Sequence, residues 1–540
     1  MMHSTPAFRL SGMLSAAPEP HGVLWWIRSG VLGLCLVAGL LLAGCATPPP
    51  QDKPAAAYAT APHADSLFTE VEARIAASHG AGYSGFNLLE RNERALHWRL
   101  ALIDSARHSI DLQYYVWFGD NVGTLLMLRT LDAADRGVKV RILFDDLNTM
   151  LHDMTHVQMR DTLLSRIDSH PNVQIRVFNA WQDRSLLGRL FDMTVDMQRL
   201  NRRMHNKQMI VDNRVAIIGG RNLGDEYFGL HPEFNFHDLD VLGVGPVARQ
   251  ASQVFDRYWN SDWVSRIPPS TPQESMPSSA ALRETALAGV AAHPVLASLA
   301  GTADWAAVIA ALPASLDPGT SVVHTDSPSR APDARNHMPD AFRALMRSAR
   351  REVLITNAYI IPDANFMNDL RELAARDVTV RILTNSLSSH DVPAVNSHYQ
   401  TWRQPILEAG ASLYELRADA AMRGEIVDIP PVRAEFVGLH TKAMVIDRER
   451  AFVGSMNLDP RSEILNSEMG VIIDSPALAQ KLAARMERDM AGDNSWQVSL
   501  SPEGGLVWRS EAGELTRQPA RGFWQRVEDM VFKLFPANLY

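Results

Sequence analysis

Strand-length apolar runs alternate with amphipathic segments along most of the chain. Residues 110–117 and 138–144 are rich in β-branched and aromatic residues, and they follow segments of helical periodicity at 100–106 and 123–135. Runs of this length with this composition are typical of strands, whereas the intervening period of about 3.6 residues is typical of helices. The alternation predicts an α/β fold, a sheet with crossover helices.

The second half of the chain repeats the pattern. Residues 378–383 (Val-Thr-Val-Arg-Ile-Leu) match 138–143 (Val-Lys-Val-Arg-Ile-Leu) at an offset of 240, and the run 353–361 corresponds to the earlier strand 110–117. Two copies of one unit commonly face each other across a two-fold axis. The sequence therefore predicts a duplicated α/β unit with two-fold pseudosymmetry.

Each copy contains one polar motif, His-x-Lys-x₄-Asp, followed by an asparagine. The matched pairs are His205 and His440, Lys207 and Lys442, Asp212 and Asp447, and Asn222 and Asn457. Subtracting the first number from the second gives 235 for every pair. The motif alone is a weak signal, but two copies at identical spacing indicate a functional site.

The residues around the first motif predict a β-hairpin. Residues 209–211 and 215–218 are β-branched runs that flank Asp212-Asn213-Arg214. On this prediction the ingoing strand carries His205 and Lys207, two residues apart and therefore on one face. Asp212 lies at the turn, so we assign it, like Asp447 in the second copy, to structure rather than to chemistry.

Small residues follow the returning strand of each hairpin. Gly220 in the first copy and Ser455 in the second precede the motif asparagines, Asn222 and Asn457, by two residues. A glycine lets a phosphate approach the backbone, and an asparagine adds an amide donor. We therefore expect Gly220 and Ser455 to contact phosphate, with a hydroxyl contact in the second copy only.

Two such motifs facing each other supply what phosphodiester cleavage requires. One histidine attacks phosphorus, and the other protonates the leaving alkoxide. Lys207 and Lys442 are expected to hold the non-bridging oxygens and to stabilise charge in the transition state. This arrangement requires neither a metal nor a cofactor.

A carboxylate is expected to orient each histidine. Glu468 follows His440 by 28 residues, and Asp238 occupies the corresponding place after His205 once a short insertion is allowed for. These spacings predict that each histidine pairs with the carboxylate of its own half.

The surroundings of the two histidines differ. Asp238 lies in an acidic run with Asp240, and negative charge favours the cation that forms when an imidazole bonds to phosphorus. His205 also follows Arg202 and Arg203, cations expected to attract an anionic phosphate. We therefore expect His205 to be the nucleophile and His440 the general acid and then base.

These motifs resemble the phospholipase D superfamily, and more closely the bacterial cardiolipin synthases of the C type. The closer resemblance rests on residues 200–207 (Leu-Asn-Arg-Arg-Met-His-Asn-Lys), 219–225 (Gly-Gly-Arg-Asn-Leu-Gly-Asp) and 111–117 (Asp-Leu-Gln-Tyr-Tyr-Val-Trp). It covers nearly everything from about Gly82 onward. It implies two pseudo-symmetric phospholipase D-type α/β sandwich domains with one active site at their seam. The superfamily's site residues carry over to His205, Lys207, Asn222, His440, Lys442, Asn457 and Glu468.

The resemblance also implies a reaction. It is the transfer of a phosphatidyl group through a phosphohistidine to phosphatidylglycerol, making cardiolipin, with phosphatidylglycerol or phosphatidylethanolamine as donor and the membrane as partner. A hydrolytic phospholipase D differs only in using water as acceptor, which pocket shape decides. The net charge of −9 and the N-terminal segment disfavour a nucleic-acid substrate. A membrane-tethered scaffold is disfavoured because both motifs are intact. The sequence leaves the oligomeric state open.

The N-terminal segment predicts export and lipidation. Residues 31–43 are apolar but shorter than a comfortable spanning helix, and they end in Leu42-Ala43-Gly44-Cys45. This resembles a bacterial lipobox in which Cys45 is lipidated after residues 1–45 act as a signal peptide; an uncleaved anchor helix is the alternative. The body is then expected to face the periplasm, at the outer membrane.

Composition suggests the remaining boundaries, since 540 residues exceed one ordinary core. The assignments are 46–65 for a Pro/Ala-rich tether, 66–264 and 336–540 for two phospholipase D-like domains, and 265–335 for a linker. Within the linker, residues 281–312 predict a helical insert and residues 320–333 a loop.

Two amphipathic segments remain. Residues 181–203 mix leucine and phenylalanine with arginine, which fits either a surface for lipid headgroups or a helix packed on its own core. Residues 523–535 carry one apolar helical stripe, which we expect to pack in the core rather than to contact membrane.

Overall fold

The computed structural model describes residues 54–146, 157–181, 188–189, 192, 196–267, 278–299, 301, 303–331 and 335–534. The strands of the first half are β1 Ser84–Leu89, β2 Ser109–Tyr114, β3 Lys139–Asp145, β4 Val173–Phe178, β5 Gln208–Val211, β6 Val215–Gly219, β7 Phe234–His237, β8 Asp240–Val244 and β9 Val264–Arg266. The later strands are β10 Asp317–Thr325, β11 Glu352–Asn357, β12 Thr379–Asn385, β13 Ser412–Leu416, β14 Phe436–Leu439, β15 Lys442–Ile446, β16 Arg450–Gly454, β17 Met469–Asp474, β18 Ser495–Leu500, β19 Leu506–Ser510 and β20 Gly513–Leu515.

Helices flank these strands. Those before residue 300 are α1 Phe68–His79, α2 Asn92–Ser105, α3 Asn121–Asp135, α4 Val157–Asp168, α5 Met197–Leu200, α6 Pro246–Trp259, α7 Ser279–Ala292 and α8 Pro294–Leu299. The others are α9 Trp305–Ala311, α10 Met338–Arg347, α11 Ala364–Ala375, α12 Pro393–Tyr399, α13 Arg403–Glu408, α14 Pro476–Asp489 and α15 Phe523–Phe532. Among the described residues, no helix is both long and apolar enough to cross a bilayer.

The strand order is the same in the two halves. The first half reads β1-β8-β6-β5-β2-β3-β4-β9, and the second reads β10-β17-β16-β15-β11-β12-β13-β18. The two orders join where β1 pairs antiparallel with β10. Eighteen strands of the described part thus form one continuous sheet in which each half repeats the other.

Strand β10 corrects the expectation of a loop at 320–333. It runs from Asp317 to Thr325, pairs with β17 along six residues, and occupies the place that β1 holds in the first half. Its sequence lacks a strong apolar alternation because much of it is only half-buried. The pairing partner, rather than the local pattern, makes this segment a strand.

The two halves share a hydrophobic core. One cluster of buried residues contains Ile218 and Val241 from the first half together with Val453 and Val471 from the second. The equivalent helices α6 and α14 supply further members. Burial of apolar surface from both halves in one cluster ties them together and fixes how the motifs face each other.

Most other predicted elements agree with the structure, but the helix expected at 100–106 is only the end of the longer α2, which begins at Asn92. The helix expected at 123–135 begins at Asn121, where the Asp120 carboxylate accepts a hydrogen bond from the backbone of Gly123 and caps it. Asp363 caps the equivalent helix α11 in the same way. The strand expected at 138–144 is observed one residue later, and the insert is helical as predicted.

The segment from Ala55 to Ala59 corrects part of the expected tether. Ala57 exchanges two hydrogen bonds of 2.9 Å with the Asn260 side chain, and the backbone of Ala59 donates to Asp256. Backbone groups docked in this way are fixed to the body. The leader, Cys45 and the tether before residue 54 lie outside the described residues, as does most of the 182–195 segment.

Candidate active site

Each motif aspartate lies at the turn of its hairpin and accepts hydrogen bonds that tie the turn to neighbouring segments. Asp212 accepts backbone hydrogen bonds from His108 (2.8 Å) and Ser109 (3.1 Å) and one from the Ser66 hydroxyl. Asp447 accepts three, from the backbone of residues 350, 351 and 352. Asp212 and Asp447 have positive φ, 51° and 53°, and each is followed by a second residue of positive φ, as in a type I′ turn. These contacts support the proposed structural role of the two aspartates.

The two halves meet at the residues just before the functional side chains. Strand β7 lies parallel to β14 and ends at His237 beside Leu439. On the other side, Met204 forms a parallel bridge with Ser467. In both places the residue before a motif histidine therefore pairs with the residue before the other half's carboxylate.

This contact crosses the histidine–carboxylate pairs. Nδ1 of His205 lies 2.9 Å from Oε2 of Glu468, and Nδ1 of His440 lies 2.6 Å from Oδ2 of Asp238. The sequence-based pairing of each histidine within its own half is wrong. The reason is that the carboxylates follow strand segments that pair across the halves rather than within them. With Nδ1 so engaged, Nε2 of each imidazole remains for the reaction.

The two further sequence arguments for His205 as the nucleophile lose support from Asp240 and Arg203. Asp240 is buried in ion pairs with Arg99 (2.9 Å) and Arg221 (3.1 Å), which neutralise it. Arg203, expected to attract phosphate, is buried and paired with Asp145 at 3.1 Å. These two residues, although close to site residues in the sequence, thus form buried ion pairs.

Gly220 and Ser455, expected to contact phosphate, each lie against one of the two carboxylates. The Ser455 hydroxyl donates to Glu468 (2.5 Å), and its backbone amide donates to the Met469 carbonyl. The Gly220 amide donates to Leu239. A Cβ at Gly220 would meet Oδ1 of Asp238 at 2.2 Å. The glycine leaves room for the carboxylate that orients His440, and the serine holds the carboxylate that orients His205.

The two motif asparagines are both buried. The Asn222 side chain accepts from the Val116 amide and donates to the Tyr227 hydroxyl at 2.9 Å, so the expected free amide donor is engaged. The Tyr227 ring meets His440 edge-on, with centroids 5.2 Å apart. The side-chain oxygen Oδ1 of Asn457 has no hydrogen-bond partner among the described residues.

Each motif lysine is held by its own motif. Lys207 Nζ donates to the His205 carbonyl at 2.7 Å, and Lys442 Nζ donates to the His440 carbonyl at 2.5 Å. The first lies 5.3 Å from the centroid of the Tyr115 ring. The hairpin strand begins at Gln208 in the first copy and at Lys442 itself in the second, and in both copies the bond to the carbonyl holds the lysine beside its histidine.

Electrostatics join the motifs into one site. Burial, together with the charges of Lys207, Lys442 and Arg461, holds the pKa of His205 well below its ordinary value. Burial and Lys442 lower the pKa of His440 to about 3, although Asp238 acts in the opposite direction. Lysines of both halves thus act on each histidine, and both imidazoles are neutral at neutral pH.

The two carboxylates differ. Burial raises the pKa of Glu468 to about 7, and hydroxyls of Ser455 and Ser462 donate to it. Burial also acts to raise the pKa of Asp238, but attraction to His440 and Lys442 outweighs it and lowers that pKa. Asp238 is therefore ionised at neutral pH, whereas Glu468 carries only part of a charge.

Sequence reasoning missed several groups at the site. Tyr115 lies edge-on to His205, with centroids 5.0 Å apart, and Tyr359 lies 5.8 Å from Lys442 Nζ. Arg461, at the start of a π-helical turn, adds a cation that acts on His205. Tyr115 belongs to the 111–117 run that carried the family resemblance, whereas Arg461 had no such signal.

One cluster of potential metal ligands lies elsewhere among the described residues. His63, Asp65 and His108 place ligand atoms within 4.8 Å of one another, with the first two exposed. The backbone of His108 is bonded to Asp212, so this cluster lies at the turn end of the first hairpin.

Comparisons with known proteins identify a family. Residues 100–259 and 342–490 match the family described as "Cardiolipin synthase, PLD-like domain". The chain is 33% identical over 469 residues to cardiolipin synthase C of Escherichia coli, covering 85% of this chain and 97% of that protein. It is 32% identical over 471 residues to an uncharacterized protein of Helicobacter pylori, covering 84% of this chain and 89% of that protein.

A solved structure has the same fold. Phosphatidylserine synthase from Haemophilus influenzae Rd KW20 superposes with a TM-score of 0.52 at 11% identity, covering 80% of this chain and 92% of that chain. The predicted fold of two pseudo-symmetric phospholipase D-type α/β domains is thereby confirmed.

Proposed function

The chain belongs to the cardiolipin synthase family with phospholipase D-like domains, and we propose that it is a phosphatidyltransferase that makes cardiolipin. The observation that carries this proposal is the crossed pair of histidine–carboxylate contacts, His205 with Glu468 and His440 with Asp238. Each half supplies the carboxylate that orients the other half's histidine, so neither half is complete alone. Such a site suits a reaction with one nucleophile and one proton donor at one phosphorus.

The difference between the carboxylates supports distinct roles for the histidines. Ionised Asp238 opposes the lowering of the His440 pKa, which suits a group that must take up and give a proton. His205 has a partly neutral partner in Glu468 and an additional cation nearby in Arg461, both of which favour the neutral imidazole that a nucleophile needs. His205 is therefore again proposed as nucleophile, for a reason opposite to the sequence argument.

The reaction proceeds in two displacements. Nε2 of His205 attacks the donor phosphorus, the bond to the headgroup oxygen breaks, and His440 gives that oxygen its proton. His440 then takes the proton of a glycerol hydroxyl of phosphatidylglycerol, whose oxygen attacks phosphorus and releases His205. Lys207 and Lys442 stabilise the charge on the non-bridging oxygens in both steps. The anionic phosphate also raises the pKa of His440 towards the range in which it can be protonated.

The test is lipid analysis with the purified chain and phosphatidylglycerol, alone or with phosphatidylethanolamine carrying a labelled headgroup. New cardiolipin is expected, and it should be lost in His205→Asn but not in His79→Asn, a change on the exposed end of α1. Released ethanolamine or glycerol identifies the donor. Phosphatidic acid without cardiolipin would show a hydrolase, and no turnover at all would favour a scaffold.

We also propose a lipid anchor at Cys45 that holds the chain at the bacterial envelope, facing the periplasm. Its support is the lipobox-like Leu42-Ala43-Gly44-Cys45. Cys45→Ala is expected to leave turnover in detergent unchanged and to release or mislocalise the protein on fractionation. A mature N-terminus mapped elsewhere by mass spectrometry would refute the anchor, and fractionation decides between the inner and outer membranes.

A further inference from the structure

The C-terminal helix α15 turns its apolar face to solvent, contrary to the expected core packing. The exposed side chains are Phe523 (71%), Trp524 (74%), Met530 (63%), Val531 (44%) and Leu534 (83%). We call these five residues the C-terminal patch. Single exposed apolar residues are ordinary, but a cluster that includes Trp and Phe on one short helix marks an interaction surface.

Polar contacts fix this orientation. Gln525 and Asp529, on the opposite face, are 7% and 3% exposed. Gln525 Nε2 donates to the Leu387 carbonyl at 2.6 Å, and Asp529 accepts from Asn396 (2.6 Å) and Gln518 (3.0 Å). Rotating the helix to bury its apolar face would break these hydrogen bonds and leave their buried polar partners unpaired. The outward apolar face is therefore built into the fold.

A residue that precedes the helix is linked to the active site through a series of contacts. Arg521, just before it, donates to the carbonyls of Ser388 (2.5 Å) and His390 (3.3 Å). The His390 ring stacks on Tyr359 with centroids 5.2 Å apart, and Lys442 Nζ lies 5.8 Å from the centroid of that tyrosine. These contacts thus lead from Arg521, two residues before the helix begins, to a motif lysine.

We propose that the C-terminal patch inserts into the headgroup region of a bilayer that contains anionic phospholipid and thereby holds the active site at the membrane surface. A helix of ten residues is about 15 Å long, too short to span a bilayer, so it lies in the interface. Trp524 suits the interface, and exposed Arg526 and Lys533 attract anionic headgroups.

This inference rests on the proposed function in that the substrate is a bilayer lipid, but its test is separate. Hydrogen–deuterium exchange of the full chain is measured with vesicles of phosphatidylglycerol and phosphatidylethanolamine, and with phosphatidylcholine vesicles for comparison. We expect exchange in residues 523–534 to slow severalfold with the anionic vesicles and less with the neutral ones. Unchanged exchange would overturn the inference. So would slowing that depends on protein concentration without lipid, which would identify a second copy as the occupant.

Paired substitutions give a second readout. Trp524→Ser/Leu534→Ser is expected to lower turnover on vesicles by about tenfold through KM, because two inserted side chains are lost. Turnover on short-chain, monomerically dispersed phosphatidylglycerol should be unchanged. The control Leu287→Ser/Val322→Ser removes exposed apolar residues from α7 and β10 and should alter neither. Equal loss on both substrates would contradict membrane insertion. Wild-type protein that turns over neither substrate would refute the proposed function, and the exchange measurement would still decide the patch.

Discussion

Nδ1 of His205 lies 2.9 Å from Oε2 of Glu468, 263 residues later in the chain. The mirror contact joins His440 to Asp238 across 202 residues. Each half of the duplicated chain therefore orients the reactive side chain of the other. A single half has a histidine without its carboxylate, which gives a physical reason for the two copies to stay in one chain.

Asp238→Asn and Glu468→Gln are expected to differ in their dependence on the leaving group. Asp238 supports the charge on His440, so Asp238→Asn should slow cardiolipin formation by about 10²-fold or more. The same variant should cleave phosphatidyl-p-nitrophenol at a rate within about tenfold of the wild-type rate, because this leaving group departs without a proton. Glu468→Gln disturbs the nucleophile and should slow both reactions. Kinetics that show the reverse pattern would exchange the two roles.

His440→Asn is expected to trap a phosphatidyl group on His205. With phosphatidyl-p-nitrophenol, the first displacement needs no proton donor, but release to an acceptor needs the base that this variant lacks. Mass spectrometry at alkaline pH should find the adduct on the peptide that contains His205, and none in His205→Asn. An adduct on His440 in the wild-type protein would reverse the assignment and leave the two-histidine mechanism standing.

The alkaline limb of the pH profile is expected to come from Lys442. Burial lowers the pKa of this lysine to about 8, so its charge is present below that pH and is lost above it. Burial also holds the pKa of Lys207 well below its ordinary value, so Lys207 is the other candidate for this limb. Since kcat/KM reports ionisations of the free enzyme, it should fall about tenfold per pH unit above roughly pH 8. Lys442→Arg keeps a charged group throughout this range. It should therefore move the limb upward even if kcat at pH 7 falls, and an unmoved limb would assign it to another group.

Turnover is expected to persist in excess EDTA. Lys207 and Lys442, each held by a histidine carbonyl, are proposed as the cations that stabilise the phosphate. The measurement is cardiolipin formation with and without chelator, at constant vesicle composition. A loss of activity that a divalent ion restores would contradict this mechanism. His108→Ala would then show whether the surface cluster of His63, Asp65 and His108 is responsible.

Much of the architecture was predictable because its signals are local. The apolar runs gave β3 and β12 to within one or two residues, and Asp212 was assigned to the hairpin turn. Strand β10 was missed because its pairing with β1 and β17 creates the strand, while its own pattern is weak. The outward face of α15 was missed because an apolar stripe does not reveal that Gln525 and Asp529 have buried partners.

The sequence alone was enough to identify the two histidines and two lysines of the candidate site. His205, Lys207, His440 and Lys442 stand out because two equal spacings, repeated at a constant offset, are a property of the chain alone. Only the tertiary structure decided which carboxylate meets which histidine. Asp238 and Glu468 stand at similar places in their halves, so distance along the chain favoured pairing within each half. The parallel pairing of β7 with β14, and of Met204 with Ser467, instead brings each carboxylate to the histidine of the other half. These contacts join residues that are far apart in the chain, so no local sequence pattern encodes them.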